Sequence, residues 1–261
     1  VASPLPSLFE GQILGLNEYT LIVGAAFLVA GFVKGVTGMG LPPIAIGLMA
    51  VVVPPVQAAA LIVVPSMVSN VWQMLVGPGF AQACRRFALL LIMVCVGAAF
   101  GVGVLTGSTP AYATLALGTV LFVYAMLGLF KFHMQVNTQN ESWASPLVGV
   151  LTGFLAGATG VSSVPSAPYM NSLGMTKDEL LQALGLVFTV GTFALAVGLC
   201  FKGRFELGAA WESTLCLIPT MLGVLAGQKC RSLLSAETFK TVFFISLLVL
   251  GGYMIGRALW F

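Results

Sequence analysis

The stretch Gly31 to Pro43, GFVKGVTGMGLPP, interrupts an apolar run that begins at Leu21. Four glycines (Gly31, Gly35, Gly38, Gly40), Lys34 and two prolines stand where a membrane-crossing helix should simply continue. Glycine and proline there free backbone donors and acceptors that hydrocarbon cannot satisfy, so such backbone must be buried in protein or line a polar cavity. The pattern returns 122 residues later as GFLAGATGVSSVP, with Gly31/Gly153, Phe32/Phe154, Gly35/Gly157, Thr37/Thr159, Gly38/Gly160 and Pro43/Pro165 identical. The chain therefore reads as two copies of one unit, residues 1–136 and 137–261, forming together one transmembrane domain. Paired Gly/Pro-interrupted hydrophobic segments at corresponding places in two halves point to a transporter's binding site. The rival reading of the glycines is close helix packing through small residues, which needs neither the prolines nor the lysine.

Composition agrees with a membrane setting. Charged residues make up 7% of the chain, against about 25% in a soluble domain. Cut into apolar runs of about 20 residues, the chain accommodates eight full spans plus short broken pieces, with no room for a soluble domain. A net charge of +3 is small and scattered, so nucleic acid is no expected partner and the cations read as topology signals. Five cysteines lack CxxC or Cys/His spacing, and His133 is the sole histidine, so neither a metal site, a cofactor nor a Ser-His-Asp triad is expected. The opening residues, VASPLPSLFEGQ, lack the basic region of a signal peptide, and the missing initiator Met suggests a trimmed start.

Along the chain, the run Leu21 to Val33 meets the break, and Ile44 to Val53 follows as a piece too short to cross hydrocarbon unaided. The next span, Val56 to Val76, carries Ser66, Ser69, Asn70 and Gln73 at three- and four-residue steps, which puts them on one helix face. Gly77-Pro78-Gly79 ends it. Spans Phe87 to Leu105 and Ala111 to Phe130 follow, the latter started by Thr109 and Pro110 and closed by Lys131. Ser145-Pro146 is the expected start of the second unit, a capping box of Thr176 and Glu179 starts Leu180 to Cys200, and Ser235 with Glu237 starts the last span. Between the last two lies Leu207 to Ala226.

If each short piece crosses, each unit has five segments and the halves are inverted. Seven cations (Arg85, Arg86, Lys131, Lys177, Lys229, Arg231, Lys240) then share one side, against Lys202, Arg204 and Arg257. Re-entrant pieces would give parallel four-span units and a six-to-four split. The positive-inside rule favours the inverted reading with an extracellular N-terminus. The expected fold is an all-α polytopic membrane protein of two inverted repeats, each with a first segment broken at its Gly-rich motif.

With two G-x-x-x-G-x-x-G repeats, a Pro after each, and following spans that open with Gln57-Ala58 and Gln182-Ala183, the chain resembles the sulfite exporter TauE/SafE family over nearly its full length. The resemblance implies a bacterial or archaeal inner-membrane transporter of small anions, commonly sulfite, thiosulfate, sulfoacetate or other organosulfonates. The second copy departs at Ala156 in place of Lys34 and Ser162 in place of Gly40.

An anion in low dielectric needs donors and positive potential, which broken helices supply at free N–H groups and positive dipole ends. The candidate binding set is Lys34, Thr37, Gly38, Met39 and Gly40 in the first break, Ser69 and Asn70 on the polar face, and Thr159, Gly160, Val161, Ser162 and Ser163 in the second. Lys34 has a second reading as a lysine snorkelling to the interface, and Ser69 and Asn70 one as interhelical hydrogen bonders. Alternating access is expected over a channel, because two symmetric breaks fit it better than a filter. An intramembrane enzyme is disfavoured, since the acids lie in joints or at span ends and GxSxG is absent. The apolar outer surfaces leave a homo-oligomer open.

Overall fold

A computed structural model describes residues 18–50, 52–77, 79–130, 140–231 and 236–260, whose regular elements are all helices, with no strand among them. In chain order the helices are α1 (Glu18–Thr37), α2 (Leu41–Met49), α3 (Pro55–Leu61), α4 (Val63–Val76), α5 (Phe80–Arg86), α6 (Ala88–Gly107) and α7 (Pro110–Leu129). The second half holds α8 (Glu141–Thr159), α9 (Ser166–Asn171), α10 (Lys177–Phe201), α11 (Leu207–Leu215), α12 (Leu217–Cys230) and α13 (Ala236–Trp260). The lead with Glu10 and Asn17, together with Pro78, Lys131, His133 and Ser235, lies outside the described residues.

Among the described residues, six spans are long and apolar enough to cross a membrane: α1, α6, α7, α10, α11 with α12, and α13. The pair α3 and α4, bent by 44°, makes a seventh if taken as one span. Where the sequence allows eight full spans, α8 falls outside the set because it opens with the weakly apolar residues Glu141 to Pro146.

Side-chain caps explain the starts of α7 and α10. Thr109 caps α7 by accepting the Tyr112 N–H, with Pro110 in the first turn. The Thr176–Glu179 capping box opens α10 in both directions. The expected start at Ser145-Pro146 is off by more than a turn. Helix α8 begins at Glu141 and Pro146 lies inside it, which is tolerated because the carbonyl it leaves unpaired belongs to exposed Ser142.

The expected span Val56 to Val76 is kinked, and Pro65 supplies the reason. Proline has no N–H for the Leu61 carbonyl, one turn back. Ser213 of α11 fills the gap: its hydroxyl donates to Leu61 O at 2.7 Å and accepts the Val64 N–H at 3.0 Å. The equivalent helix of the second half, α10, carries Val187 at the matching place and runs unbroken for 25 residues.

Packing follows the repeat. Helix α1 lies along α12, and its counterpart α8 lies along α6; α4 packs on α10 and α7 on α13. The first two glycines of each motif make the α1 and α8 contacts. The Cα of Gly31 faces the Thr220 carbonyl and that of Gly35 the Val224 carbonyl, while Gly153 and Gly157 face those of Val94 and Ala98. The partner helices answer in kind: Gly223 and Gly227 lie on Leu28 and Phe32, and Gly97 and Gly101 on Val150 and Phe154. The small-residue packing reading thus holds for the first two glycines of each motif. The helix also persists beyond Gly31 and Lys34, so the non-helical stretch narrows to residues 38–40.

Candidate functional site

Helix α1 ends at Thr37, and Gly38 (φ 79°) and Gly40 (φ 98°) turn the chain through left-handed conformations into α2. Helix α8 ends in the same way at Gly160 (φ 79°), and residues 161–165 lead into α9. Each final threonine closes its own helix. Thr37 donates to the Val33 carbonyl and accepts the Met39 N–H; Thr159 donates to the Leu155 carbonyl and accepts the Val161 N–H. Both hydroxyls are therefore engaged with backbone.

Lys34 is 5% exposed, and its ammonium donates to Asn70 Oδ1 on α4. The side chain turns inward instead of snorkelling out. The Asn70 amide in turn reaches Thr192 Oγ1 on α10 at 3.4 Å. Asn70 and Thr192 are 122 residues apart, the spacing of the two breaks, and the chain Lys34–Asn70–Thr192 sits where α4 of the first half meets α10 of the second. Gly191, beside Thr192, brings the second break to the same place, since a Cβ there would lie 3.0 Å from Ser162 Oγ.

The rest of the polar face of α4 is also turned into the protein. Ser66 is fully buried with an unpartnered hydroxyl, and Ser69 donates to Pro65 O at 2.7 Å. Gln73 donates to Leu181 O at 2.8 Å, and across from it Gln182 donates to Met74 O and Gly77 O, so the two glutamines stitch the end of α4 to the start of α10. Tyr124 of α7, which sequence reasoning passed over, joins the two breaks: its hydroxyl lies 3.5 Å from Met39 Sδ and is hydrogen-bonded to Ser163.

Two cavities lie against this assembly. One of about 500 Å³ is bounded by Lys34, Gly38, Ser69, Gln73, Gln182 and Arg231, among others. A larger one of about 810 Å³ is bounded by Thr37, Met39, Tyr124, Lys177, Arg231 and Lys240, among others. Both are framed by the C-terminal ends of α1 and α12 and the N-terminal end of α10, with the C-terminal end of α4 on the smaller and the α7 and α13 ends on the larger. The second break is packed. Gly160 is packed under Ile46, Ile62 and Ala59, and Val161, Ser162 and Ser163 are all buried.

Arg86, at the end of α5 just before α6, forms an ion pair with Glu141 at the start of α8 at 2.8 Å, and that hydrogen bond holds the Arg86 guanidinium above its usual pKa. Lys34 has a neutral amide for a partner. No group of metal-ligating side chains occurs among the described residues.

A profile of the Sulfite exporter TauE/SafE family matches residues 23–254, which spans both breaks and every helix from α1 to α13. The chain belongs to the sulfite exporter TauE/SafE family. Neither a curated protein nor a solved structure matches it. Membership makes the chain a multi-pass membrane transporter of the sulfite-exporter type, with a small anion as substrate and the bilayer as its surroundings. In a TauE/SafE transporter, a buried ammonium held by a neutral amide beside a cavity is a group suited to an anion.

Of the residues picked out by sequence, the structure draws Lys34, Asn70 and Ser162 to the contact between α4 and α10. It places Met39 and Ser163 at Tyr124, and leaves Thr37 and Thr159 as helix closures. Thr192, Gln182, Tyr124 and Arg231 are the site neighbours that the sequence reading missed. Thr192 was within reach, because adding the repeat spacing to Asn70 lands on it.

Proposed function

We propose that the chain is a secondary transporter of small sulfur-containing anions, such as sulfite, thiosulfate, sulfoacetate or another organosulfonate, working across the bacterial inner membrane by alternating access. The observation that carries this reading is the buried chain Lys34–Asn70–Thr192, placed between the two halves and bordered by a cavity. A full charge away from water is costly unless partnered. An anion entering the cavity would take the ammonium from Asn70, and the amide and Ser69 would be close enough to complete its shell. The glycine breaks contribute positive φ and free backbone that allow close approach.

Inverted repeats support the alternating-access part. The C-terminal ends of α1, α4, α7 and α12 and the N-terminal ends of α10 and α13 gather at the cavities, while the α6 and α8 starts are joined by Arg86 and Glu141. These ends are the ones expected if each long helix of the first half runs opposite to its counterpart. The cavity end also carries Lys177, Lys229, Arg231 and Lys240, which makes it the cytoplasmic end by the positive-inside rule. Arg257, bonded to the Ala50 carbonyl, belongs to the other end. Single cysteines at Gly79 and Gly203 should label from opposite sides of the membrane, and labelling from one side would defeat the inverted reading.

The binding reading is tested on purified protein by thermal shift with sulfite, thiosulfate, sulfoacetate and acetate, because a ligand specific for the folded state stabilises it. Wild type should respond to at least one sulfur oxyanion. Lys34→Met should weaken that binding by roughly 10- to 150-fold, the value of a charge-assisted contact of about 1.5–3 kcal/mol. Binding within about three-fold of wild type would make Lys34 a topology residue.

A further inference from the structure

The two cavities share two side chains, Arg231 and Leu181. Leu181 packs directly on Gly38, and its carbonyl is held by Gln73, so it forms the partition between the larger cavity and the one that reaches Lys34. Arg231 sits at the end of α12 with a face on each side of that partition. The larger cavity has a cationic balance, with Lys177, Arg231 and Lys240 against Glu237, and an apolar floor of Leu184, Phe243 and Phe244. In the smaller one, Lys34 and Arg231 face Asp178.

We propose that Arg231 is a first anion-binding station, which takes an oxyanion or organosulfonate in the larger cavity and hands it past Leu181 to Lys34. The inference rests on the reading of Lys34 as the inner anion site. The chemistry separates the two stations. A guanidinium offers a planar fork that matches two oxygens of one oxyanion and is weakly hydrated, which suits capture of an anion that still carries water. An ammonium is a compact point charge, which suits the inner site where the anion is held from several directions. The surrounding lysines raise the local anion concentration but present no fork.

The test uses the full chain in oriented proteoliposomes, with sulfite or sulfoacetate supplied on the Arg231 face and initial rates measured over a range of concentrations. Arg231→Gln should raise KM about 10- to 150-fold, the loss of a charge-assisted bond, with the maximal rate within two-fold of wild type. Arg231→Lys keeps the charge without the fork and should fall between. Lys229→Gln, exposed two residues away and outside both cavities, should leave KM unchanged. An unchanged KM in Arg231→Gln overturns the station, and so does an equal rise in Lys229→Gln, because surface charge alone would then suffice. If Arg231→Gln does not insert, Arg231→Lys carries the test, and its unchanged KM overturns the proposal. Lys34→Met transporting normally while Arg231→Gln is impaired would sink the inner-site reading and leave Arg231 as the anion site. A wild type with no saturable flux of either anion would remove both.

Discussion

The two breaks share a sequence and a backbone turn, yet they lie in opposite surroundings. At the first, Gly38 and Met39 border open cavities and Lys34 places a charge one turn back. At the second, Gly160 to Ser163 lie buried beneath the side chains of Ile46, Ile62 and Ala59, and the position of the lysine is taken by Ala156. A repeated motif therefore does not make a repeated site. What repeats is the scaffold, namely the glycine crossings with α12 and α6 and the threonine closures; what differs is the charge and the access to water. If transport works by alternating access, as proposed above, the sealed break would be the closed gate of this conformation and the open one the path in use.

The largest expected effect comes from forcing the two breaks to match. Ala156→Lys places a second ammonium at the equivalent position, 1% exposed and near Gly191. Without an anion or acid beside it, an uncompensated buried charge costs about 3–5 kcal/mol, so the variant should fail to accumulate as folded protein. Accumulation at wild-type level with an unchanged melting temperature would mean that the second break admits water, and the contrast would collapse.

Next come the left-handed glycines. Gly160→Ala combines a strained backbone with a Cβ 2.5 Å from Ile46 Cδ1 in a packed interior, which together should destabilise by about 2–4 kcal/mol. At Gly38 the added methyl meets only the end of the Leu181 side chain, which borders two cavities and has room to move. Gly38→Ala should therefore cost about 1–2 kcal/mol, while slowing transport through the partition. Melting of the two variants in one detergent gives the order, and a larger loss at Gly38 would reverse the assignment of the open and sealed sides.

The sequence made the scaffold legible and the asymmetry only partly so. Periodic apolar runs, Thr109 with Pro110 and the Thr176–Glu179 box are local signals, and each lands where the helix begins. The glycine motifs were read as one device because adjacent glycines look alike in a sequence. Their separation into crossing residues (Gly31, Gly35) and turn residues (Gly38, Gly40) depends on Thr220 and Val224, nearly two hundred residues away. Lys34 had two readings for the same reason: a lysine turns inward or outward according to whether an Asn70 is within reach, which is a tertiary fact. Pro65 lies inside the expected span Val56 to Val76 with no kink read from it, and the Ser213 hydroxyl that fills its gap comes from the other half.

The smallest expected effects, and the sharpest comparison, come from the threonines that close α1 and α8. Valine keeps their shape and removes the hydroxyl that accepts the Met39 N–H in one half and the Val161 N–H in the other. At Thr159 that N–H lies in a fully buried stretch, so its loss of a partner carries the full penalty of about 1–3 kcal/mol. At Thr37 the neighbouring cavity lets water replace the hydroxyl, and the cost should stay at or below about 1 kcal/mol. Because both hydroxyls already donate to their own helix, neither substitution should change anion affinity by more than about three-fold, or ~0.7 kcal/mol. Melting curves and anion titrations on the same two preparations separate the outcomes. A large affinity loss in Thr37→Val alone would bring that hydroxyl into the anion's shell on the open side, and equal stability losses in both variants would show that water reaches the two turns alike.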